Sequence, residues 1–204
     1  MSLFDNITIV GLTGQSGAGK STVSAMIRSN DLAVIDADKA SHAVAAYQEF
    51  IEEVGKAFPD CVENGSLIRQ KLAGIVFNDR EKLNAYTSII YPYITKRIFD
   101  EIFSLKQSGE RIIVLDAPTL FESGLDSLCK SVISVVAPME IKLARLLERD
   151  GIPVELISSR LSSQKSEDYF KERSDYIIVN DSDFNSLEAK TEATVKSIRE
   201  RFND

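Results

Sequence analysis

The sequence predicts an α/β protein in which a five-stranded parallel sheet is flanked by helices. Short apolar runs alternate with longer amphipathic stretches along the 204 residues, which is the pattern of parallel α/β layering. A glycine-rich segment follows the first apolar run and leads into a helical pattern. A long, mostly helical segment separates the second predicted strand from the third, which predicts a helical insertion between them.

The five predicted strands are short apolar runs. They cover residues 7–12, 33–35, 112–115, 132–136 and 176–179. Ligands bind at the carboxyl ends of the strands in doubly wound sheets. We therefore expect the functional residues to follow these runs directly.

The predicted insertion, residues 39–106, has apolar residues at the spacings of three and four that mark a helix face. Its clearest series is Ile90, Ile94, Ile98 and Ile102. Pro59 and Gly65 are expected to break the segment into separate helices.

The remaining predicted helices lie between the other strands and at the end of the chain. They cover residues 20–29, a stretch that begins at Ala137-Pro138 and is stopped by Gly151 and Pro153, a polar stretch at 154–173, and an amphipathic stretch at about 186–202. We predict a single domain, 1–204, made of a core (1–38, 107–139 and 174–204), the insertion (39–106) and a further region at 140–173.

Composition narrows the possible partners and the compartment. A net charge of −7 disfavours nucleic acid as a partner, because such proteins usually carry a basic surface. Cys61 and Cys129 show no CxxC spacing and predict buried free thiols in a reducing compartment. No apolar run approaches the ~20 residues that span a bilayer, and the N-terminus lacks a signal-peptide pattern. We expect a cytoplasmic protein with no membrane association and no obligatory protein partner.

Residues 14–21 match the phosphate-loop pattern G-x-x-x-x-G-K-[ST] at every defined position. Glycines let the backbone curl around a phosphate, and the loop N–H groups and the helix N-terminus attract it. Lys20 is expected to reach the β- and γ-phosphates, and the Ser21 hydroxyl suits a Mg²⁺ ligand. The predicted ATP-binding residues of this segment are Gly14, Ser16, Gly17, Ala18, Gly19, Lys20, Ser21 and Thr22.

A phosphate loop alone does not separate kinases from GTPase switches or ATPase motors. The guanine-reading string Asn-Lys-x-Asp and the switch string Asp-x-x-Gly are both missing from the sequence. The insertion after the second strand and the arginine-bearing segment after the fourth match small-molecule kinases. In those enzymes the insertion holds the acceptor and the later segment, here 140–173, closes as a lid.

Seven segments in register extend this match, and together they resemble the dephospho-CoA kinase family. The resemblance covers roughly residues 9–181 and rests on residues 10–14 with 17–22, 34–38 with His42, 69–72 with 75–77, 115–124, 145–151, Arg160 with Gln164, and 178–180. It implies the P-loop nucleotide-kinase fold and transfer of the ATP γ-phosphate to the 3′-hydroxyl of dephospho-CoA, with Mg²⁺ as cofactor. The alternatives are another nucleoside or nucleotide kinase, or a nucleotide-dependent switch without acceptor turnover.

Three positions depart from the family pattern. Tyr91-Pro92 stands where the family often has His-Pro, a position that often contacts the acceptor, so Tyr91 is expected to make this contact differently. Gln15 replaces the second of two glycines, and Ser174-Asp175 replaces Ala-Asp. None of these changes removes a group that the chemistry requires.

The resemblance implies two carboxylates with separate roles. Asp38 is the expected base that takes the proton of the acceptor hydroxyl, with a helix N-cap as the alternative. Asp36 is expected to support Asp38 or the water shell of the metal. Asp116, at the end of the third strand, is expected to hold Mg²⁺ through water, with a turn residue as the alternative.

Arginines and an asparagine are expected to complete the ATP site. Arg145 and Arg149 share a helix face and are predicted to clamp phosphates in a closed lid, Arg149 also binding ATP. A solvated helix face with Glu148 and Asp150 as partners is the alternative. Asn180 follows the last strand and is expected to border the adenine. Arg160 and Gln164 also share a face, and their role stays open between lid and solvated surface.

The acceptor site is expected to combine residues from several segments. The predicted set is Thr13, Asp38, His42, Arg69, Tyr91 and Glu122. His42 lies one helical turn after Asp38 and is either a partner of it or structural. Glu122 either holds its loop or touches the acceptor.

Overall fold

The computed structural model describes residues 6–202. The chain forms two compact units, one from the segments up to Ile35 and from Leu105 onwards, the other from Asp36 to Ser104. The smaller unit contains most of the segment predicted as a helical insertion. Within residues 6–202 no helix has the length and apolar character needed to cross a membrane.

The main sheet has five parallel strands, as predicted. They are β1 (Thr8–Gly14), β2 (Ala33–Asp36), β5 (Ile112–Asp116), β6 (Ser131–Val136) and β7 (Tyr176–Val179), in the spatial order β2-β5-β1-β6-β7. Strand β1 is buried along its whole length and pairs with β5 and β6. The register puts Leu12 opposite Asp116 and Gly14 opposite Val135, so the ends of the three central strands lie at one edge.

Helices cover the sheet in the larger unit. They are α1 (Lys20–Ser29), α6 (Met139–Asp150), α7 (Val154–Ser162), α8 (Glu167–Glu172) and α9 (Phe184–Phe202). Apolar side chains of β1, β6, α1 and α9 form one core, including Val10, Ile27, Val135 and Ile198. Burial of side chains of this size contributes about 1.5–3 kcal/mol each before the entropy cost.

The stretch predicted as one polar helix at 154–173 is two helices. The chain leaves the helical conformation after Ser162, and α8 begins where the Ser166 hydroxyl accepts a hydrogen bond from the Tyr169 N–H. A serine favours such a capping position because its side chain competes with the helix backbone for hydrogen bonds. The break puts Gln164 and Lys165 in a loop rather than on a helix face.

The smaller unit is helical apart from one hairpin. Its elements are α2 (Ala37–Val44), α3 (Gln48–Ala57), a 3₁₀ turn (Pro59–Cys61), β3 (Val62–Glu63), β4 (Ser66–Leu67), α4 (Arg69–Val76) and α5 (Arg80–Gln107). Phe50 stacks edge-on against Tyr86 and Tyr93 in its core. Ile90, Ile98 and Ile102 of the predicted series are buried on α5.

The antiparallel pair β3–β4 is absent from the sequence prediction. Asn64 and Gly65 connect the two strands with φ of 51° and 73°. An Asn-Gly pair in left-handed conformation is the preferred connection of a two-residue hairpin. The Asn-Gly dipeptide was the signal, but strands of two residues are too short to show an alternating pattern.

Candidate active site

The phosphate loop connects β1 to α1, and close neighbours dictate its glycines. Gly17 and Gly19 have φ of 79° and 96°, in the left-handed region. A Cβ on Gly17 would lie 2.9 Å from the Lys142 carbonyl oxygen, and one on Gly19 would lie 2.2 Å from Asn180 Nδ2. The loop is therefore packed tightly against α6 and against the residue that follows β7.

The lysine of the loop is paired with the carboxylate that ends β5. Lys20 Nζ lies 2.5 Å from Asp116 Oδ1, and Asp116 is buried. The pairing follows from topology, because β5 is a direct neighbour of β1 and both strands end at the same edge of the sheet. Asp116 thus lies beside the loop, where it was expected, with Lys20 as its partner.

Arg145 of α6 braces the loop together with Asn180. Arg145 Nη2 donates to Asn180 Oδ1 at 3.0 Å, and its Nη1 donates to the Gly17 carbonyl at 3.4 Å. Asn180, which is buried, donates in turn to the Ala18 carbonyl at 2.8 Å. The predicted contact of Asn180 with adenine stays a prediction, since here its amide serves the loop backbone.

Arg149 is not brought to the loop with Arg145. Its Nε and Nη2 donate to the two carboxylate oxygens of Asp150 at 2.6 and 3.0 Å. The hydrogen bond raises the pKa of Arg149 and lowers that of Asp150, which also accepts from Arg160 at 3.2 Å. In this structure Arg149 and Arg160 share a surface carboxylate, as the solvated-face alternative describes for Arg149.

Sequence reasoning missed a buried lysine beside the loop. Lys142, three residues before Arg145, is 2% exposed and donates to Gln15 Oε1 at 2.5 Å. Burial lowers the pKa of Lys142, and the charge of Glu167 acts against that shift. The spacing of three from Arg145 was the available signal, because such residues lie on one helix face.

The predicted residues Thr13 and Glu122 lie on different parts of this unit. Thr13 is buried in β1, and its hydroxyl donates to the Pro118 carbonyl at 3.2 Å. Glu122 is exposed in the loop after β5, next to Phe121, whose ring packs against Tyr169 and Phe170. Thr13 therefore anchors the β5 loop, and that loop in turn packs on α8.

In the smaller unit, Asp36 and Asp38 have different structural positions. Asp36 is the N-cap of α2 and accepts from the Lys39 N–H at 3.0 Å, whereas Asp38 lies in the first helical turn. The alternative interpretation of Asp38 as the N-cap is therefore wrong, because Asp36 holds that position. His42 Nδ1 lies 2.7 Å from the Asp38 carbonyl oxygen, so the histidine contacts the Asp38 backbone.

His42 and Arg69 line one pocket of about 180 Å³ in the smaller unit. Arg69 Nη2 donates to the His42 carbonyl at 3.3 Å. The other walls are mostly apolar: Ala45, Leu67, Leu72, Ala73, Val76, Phe77, Tyr86 and Ile90, with Ser41 at the polar side. Tyr91 lies outside this pocket and is 43% exposed.

The donor set near the loop fits Mg²⁺ rather than a metal held by protein ligands alone. In the described part of the chain, no group of three or more His, Cys, Asp or Glu side chains could hold a metal ion. Mg²⁺ is usually bound through one or two protein oxygens together with water and substrate phosphates. Ser21 at the start of α1 and Asp116 supply such oxygens.

The five-stranded parallel sheet, the phosphate loop and the paired Lys20 and Asp116 define a protein of the P-loop nucleotide-binding class. A family model described as dephospho-CoA kinase matches residues 8–186, and the chain belongs to that family. The chain is 34% identical over 195 residues to a dephospho-CoA kinase of Fusobacterium nucleatum, covering 95% of this chain and 100% of the relative.

Two solved structures share the architecture. A crystal structure of TT1252 from Thermus thermophilus has a TM-score of 0.82 at 30% identity, covering 95% of this chain and 99% of that one. A dephospho-CoA kinase from Campylobacter jejuni has a TM-score of 0.71 at 26% identity, covering 93% and 96%. The resemblance inferred from the sequence motifs is therefore confirmed at the level of family and fold.

Proposed function

We propose that this protein transfers the γ-phosphate of ATP to the 3′-hydroxyl of dephospho-CoA, giving ADP and coenzyme A. Family membership supports the reaction, and the phosphate loop with Lys20 against Asp116 is the observation that carries it. Phosphoryl transfer needs positioned positive charge and oriented reactants more than covalent chemistry. The loop, its lysine and the α6 arginine are groups of that kind.

The ATP phosphates bind, in this proposal, to the N–H groups of the loop and to the N-terminus of α1. When ATP binds, its phosphates compete with Asp116 for the Lys20 ammonium group, and Lys20 then reaches the β- and γ-phosphates. Arg145, already placed at Gly17, adds positive charge at the loop. Arg149 reaches phosphate only after leaving Asp150, so its role requires a rearrangement of that side chain.

Ser21 and Asp116 are the residues that would hold Mg²⁺, Asp116 through water. Bound there, Mg²⁺ would supply positive charge that offsets the negative charge of the phosphates. Release of Asp116 from Lys20 leaves a buried carboxylate that a hydrated cation can satisfy. One carboxylate thus serves Lys20 or the hydrated metal, depending on the state of the site.

The acceptor is assigned to the smaller unit. Asp38 is the proposed base, with its carboxylate on the first turn of α2. The pocket lined by His42 and Arg69 combines one guanidinium with apolar walls, which suits a substrate that carries both a pyrophosphate and an uncharged arm. Tyr91 and Glu122 remain proposed acceptor contacts.

The free thiols of Cys61 and Cys129 support the expected reducing, cytoplasmic compartment.

Acceptor profiling with ATP and Mg²⁺ tests the proposal. Release of ADP is followed with dephospho-CoA, with a nucleoside and with a nucleoside monophosphate, and the product is identified by mass spectrometry. Of the three acceptors, only dephospho-CoA is expected to be phosphorylated. Turnover only with a nucleoside or its monophosphate would reassign the acceptor, and tight nucleotide binding without any acceptor-dependent turnover would indicate a switch.

A further inference from the structure

Gln164, in the loop between α7 and α8, forms hydrogen bonds to the phosphate loop through both the oxygen and the nitrogen of its amide. Its Oε1 accepts from the Ser16 backbone N–H at 3.1 Å, and its Nε2 donates to Ser16 Oγ at 2.8 Å. A carboxamide is suited to this contact because it carries an acceptor and two donors in one plane. An aliphatic side chain could make neither bond, and a carboxylate could not donate to Ser16 Oγ.

The contact is reciprocal between two pairs of consecutive residues. Gln15, next to Ser16, donates from its Nε2 to the Lys165 carbonyl at 2.7 Å, and its Oε1 accepts from Lys142. Residues 15–16 and 164–165 are therefore joined by three hydrogen bonds in a small area. We call these bonds the glutamine bridge.

The glutamine bridge restrains the part of the phosphate loop whose backbone has the most conformational freedom. Ser16 directly precedes Gly17, and a second glycine in left-handed conformation, Gly19, comes before Lys20. Glycine loses more backbone freedom on ordering than any other residue, so a loop of this kind gains most from fixed points. Ordering the loop before substrate binds lowers the cost of reaching the reactive geometry.

The far side of the bridge is itself fixed by packing. Leu146 of α6 packs with Ile157 and Leu161 of α7, directly before the bridge. Directly after it, Phe121 packs against the Tyr169 and Phe170 rings of α8. Because α7 and α8 are held by packing, Gln164 between them fixes the position of Ser16.

We propose that Gln164 is a positioning residue for phosphoryl transfer, which holds the phosphate loop in its reactive geometry through the two hydrogen bonds to Ser16. This inference rests on the proposed function for its kinetic readout. It gives Gln164 a role at the phosphate loop, which differs from both the closing lid and the solvated surface that the sequence left open. The bridge stays in place when ATP binds, and its effect is on the rate of transfer more than on nucleotide affinity.

The test replaces Gln164 with leucine, which keeps the size and removes both bonds, and with glutamate, which keeps only the acceptor. The kcat of the Gln164→Leu variant is expected to fall about 10- to 100-fold, while its KM for ATP and its affinity for ADP change less than about threefold. The kcat of Gln164→Glu is expected to fall less. In a double-mutant cycle of Gln164→Leu with Ser16→Ala, the losses in kcat are expected to be non-additive. Gln107→Leu, at an exposed glutamine at the end of α5, is the matched control.

A second readout is independent of the acceptor. Binding of ADP with aluminium fluoride, which mimics the transferring phosphoryl group, is expected to weaken at least about tenfold in Gln164→Leu, while binding of ADP alone is kept. If wild-type protein does not turn over dephospho-CoA, the proposed function fails and this measurement still tests the bridge. An unchanged kcat and unchanged analogue affinity would overturn the proposal, as would parallel losses in ADP affinity and thermal stability.

Discussion

Lys20 Nζ lies 2.5 Å from Asp116 Oδ1, so the loop lysine and the carboxylate at the end of β5 neutralise each other in this structure. Both groups are largely shielded from water, with side-chain exposures of 17% and 6%. Removing one partner of such a pair leaves a buried charge without compensation, which costs more than the intact pair contributes. The two residues are therefore coupled in stability as well as in nucleotide binding.

Lys20→Ala is expected to lower the free energy of unfolding by on the order of 3 kcal/mol, because Asp116 stays buried and unpaired. It should also weaken ATP binding and reduce turnover at least about 100-fold, since phosphate charge is no longer offset. Urea unfolding and ADP release measure the two effects. The double variant Lys20→Ala/Asp116→Asn is expected to recover stability without recovering activity. A single variant as stable as wild type would contradict the coupling.

Asp38→Asn is expected to reduce turnover about 10²- to 10⁴-fold while ATP affinity changes little, because asparagine cannot take the proton of the acceptor hydroxyl. Single-turnover transfer and equilibrium binding of ATP separate the two quantities. Asp60→Asn, at an exposed carboxylate of the same unit, serves as the matched control and should leave both unchanged. Full turnover in Asp38→Asn would remove Asp38 as the base.

Gly19→Ala and Gly109→Ala form a matched pair with φ of 96° and 94°. At Gly19 the new Cβ would lie 2.2 Å from Asn180 Nδ2, whereas at Gly109 nothing lies within 4 Å. Both variants should lose about 1–2 kcal/mol of stability from backbone strain. Only Gly19→Ala is expected to weaken ATP binding, by about tenfold or more, because Asn180 must shift and release Ala18. Calorimetric titration of ATP into both variants decides this, and equal affinities would argue against the role of the Asn180 contact.

Burial, and to a lesser degree the charge of Asp126, raises the pKa of the Cys129 thiol to about 12. Alkylation requires the thiolate, so at pH 8 the folded protein should react at Cys129 about 1000-fold more slowly than an ordinary exposed thiol. The same shift makes folding stability decrease as the pH rises above about 9, where the unfolded chain loses this proton and the folded chain keeps it. Mass spectrometry after iodoacetamide treatment, with and without urea, locates the modified cysteine. Rapid labelling of Cys129 in folded protein would contradict the raised pKa.

The strands were predictable because each is a short, mainly apolar run, which identifies a buried parallel strand without knowledge of its neighbours. The phosphate loop was predictable because the geometry of phosphate binding dictates its residues at fixed spacing. The hairpin at Asn64-Gly65 and the break before α8 were missed. Both depend on single turn or cap residues that a periodic pattern averages out.

The side-chain partners could not be read from the sequence in the same way. Arg145 and Arg149 share a helix face, so their spacing does not show which of them meets the loop. In the structure Arg145 contacts Gly17 and Asn180, whereas Arg149 is held by Asp150. Which of two neighbouring arginines meets the loop depends on how α6 is rotated against β1 and β7. That rotation results from packing of the whole core.

The phosphate loop, the order of the strands along the chain and the carboxylates that follow them were determined by the sequence alone, because local geometry and chemistry dictate those residues. Tertiary structure decided that Asp116 meets Lys20 across neighbouring strands and that Gln164 reaches Ser16 from 148 positions away along the chain. Such contacts depend on the packing of distant segments, and no local pattern in the chain encodes them.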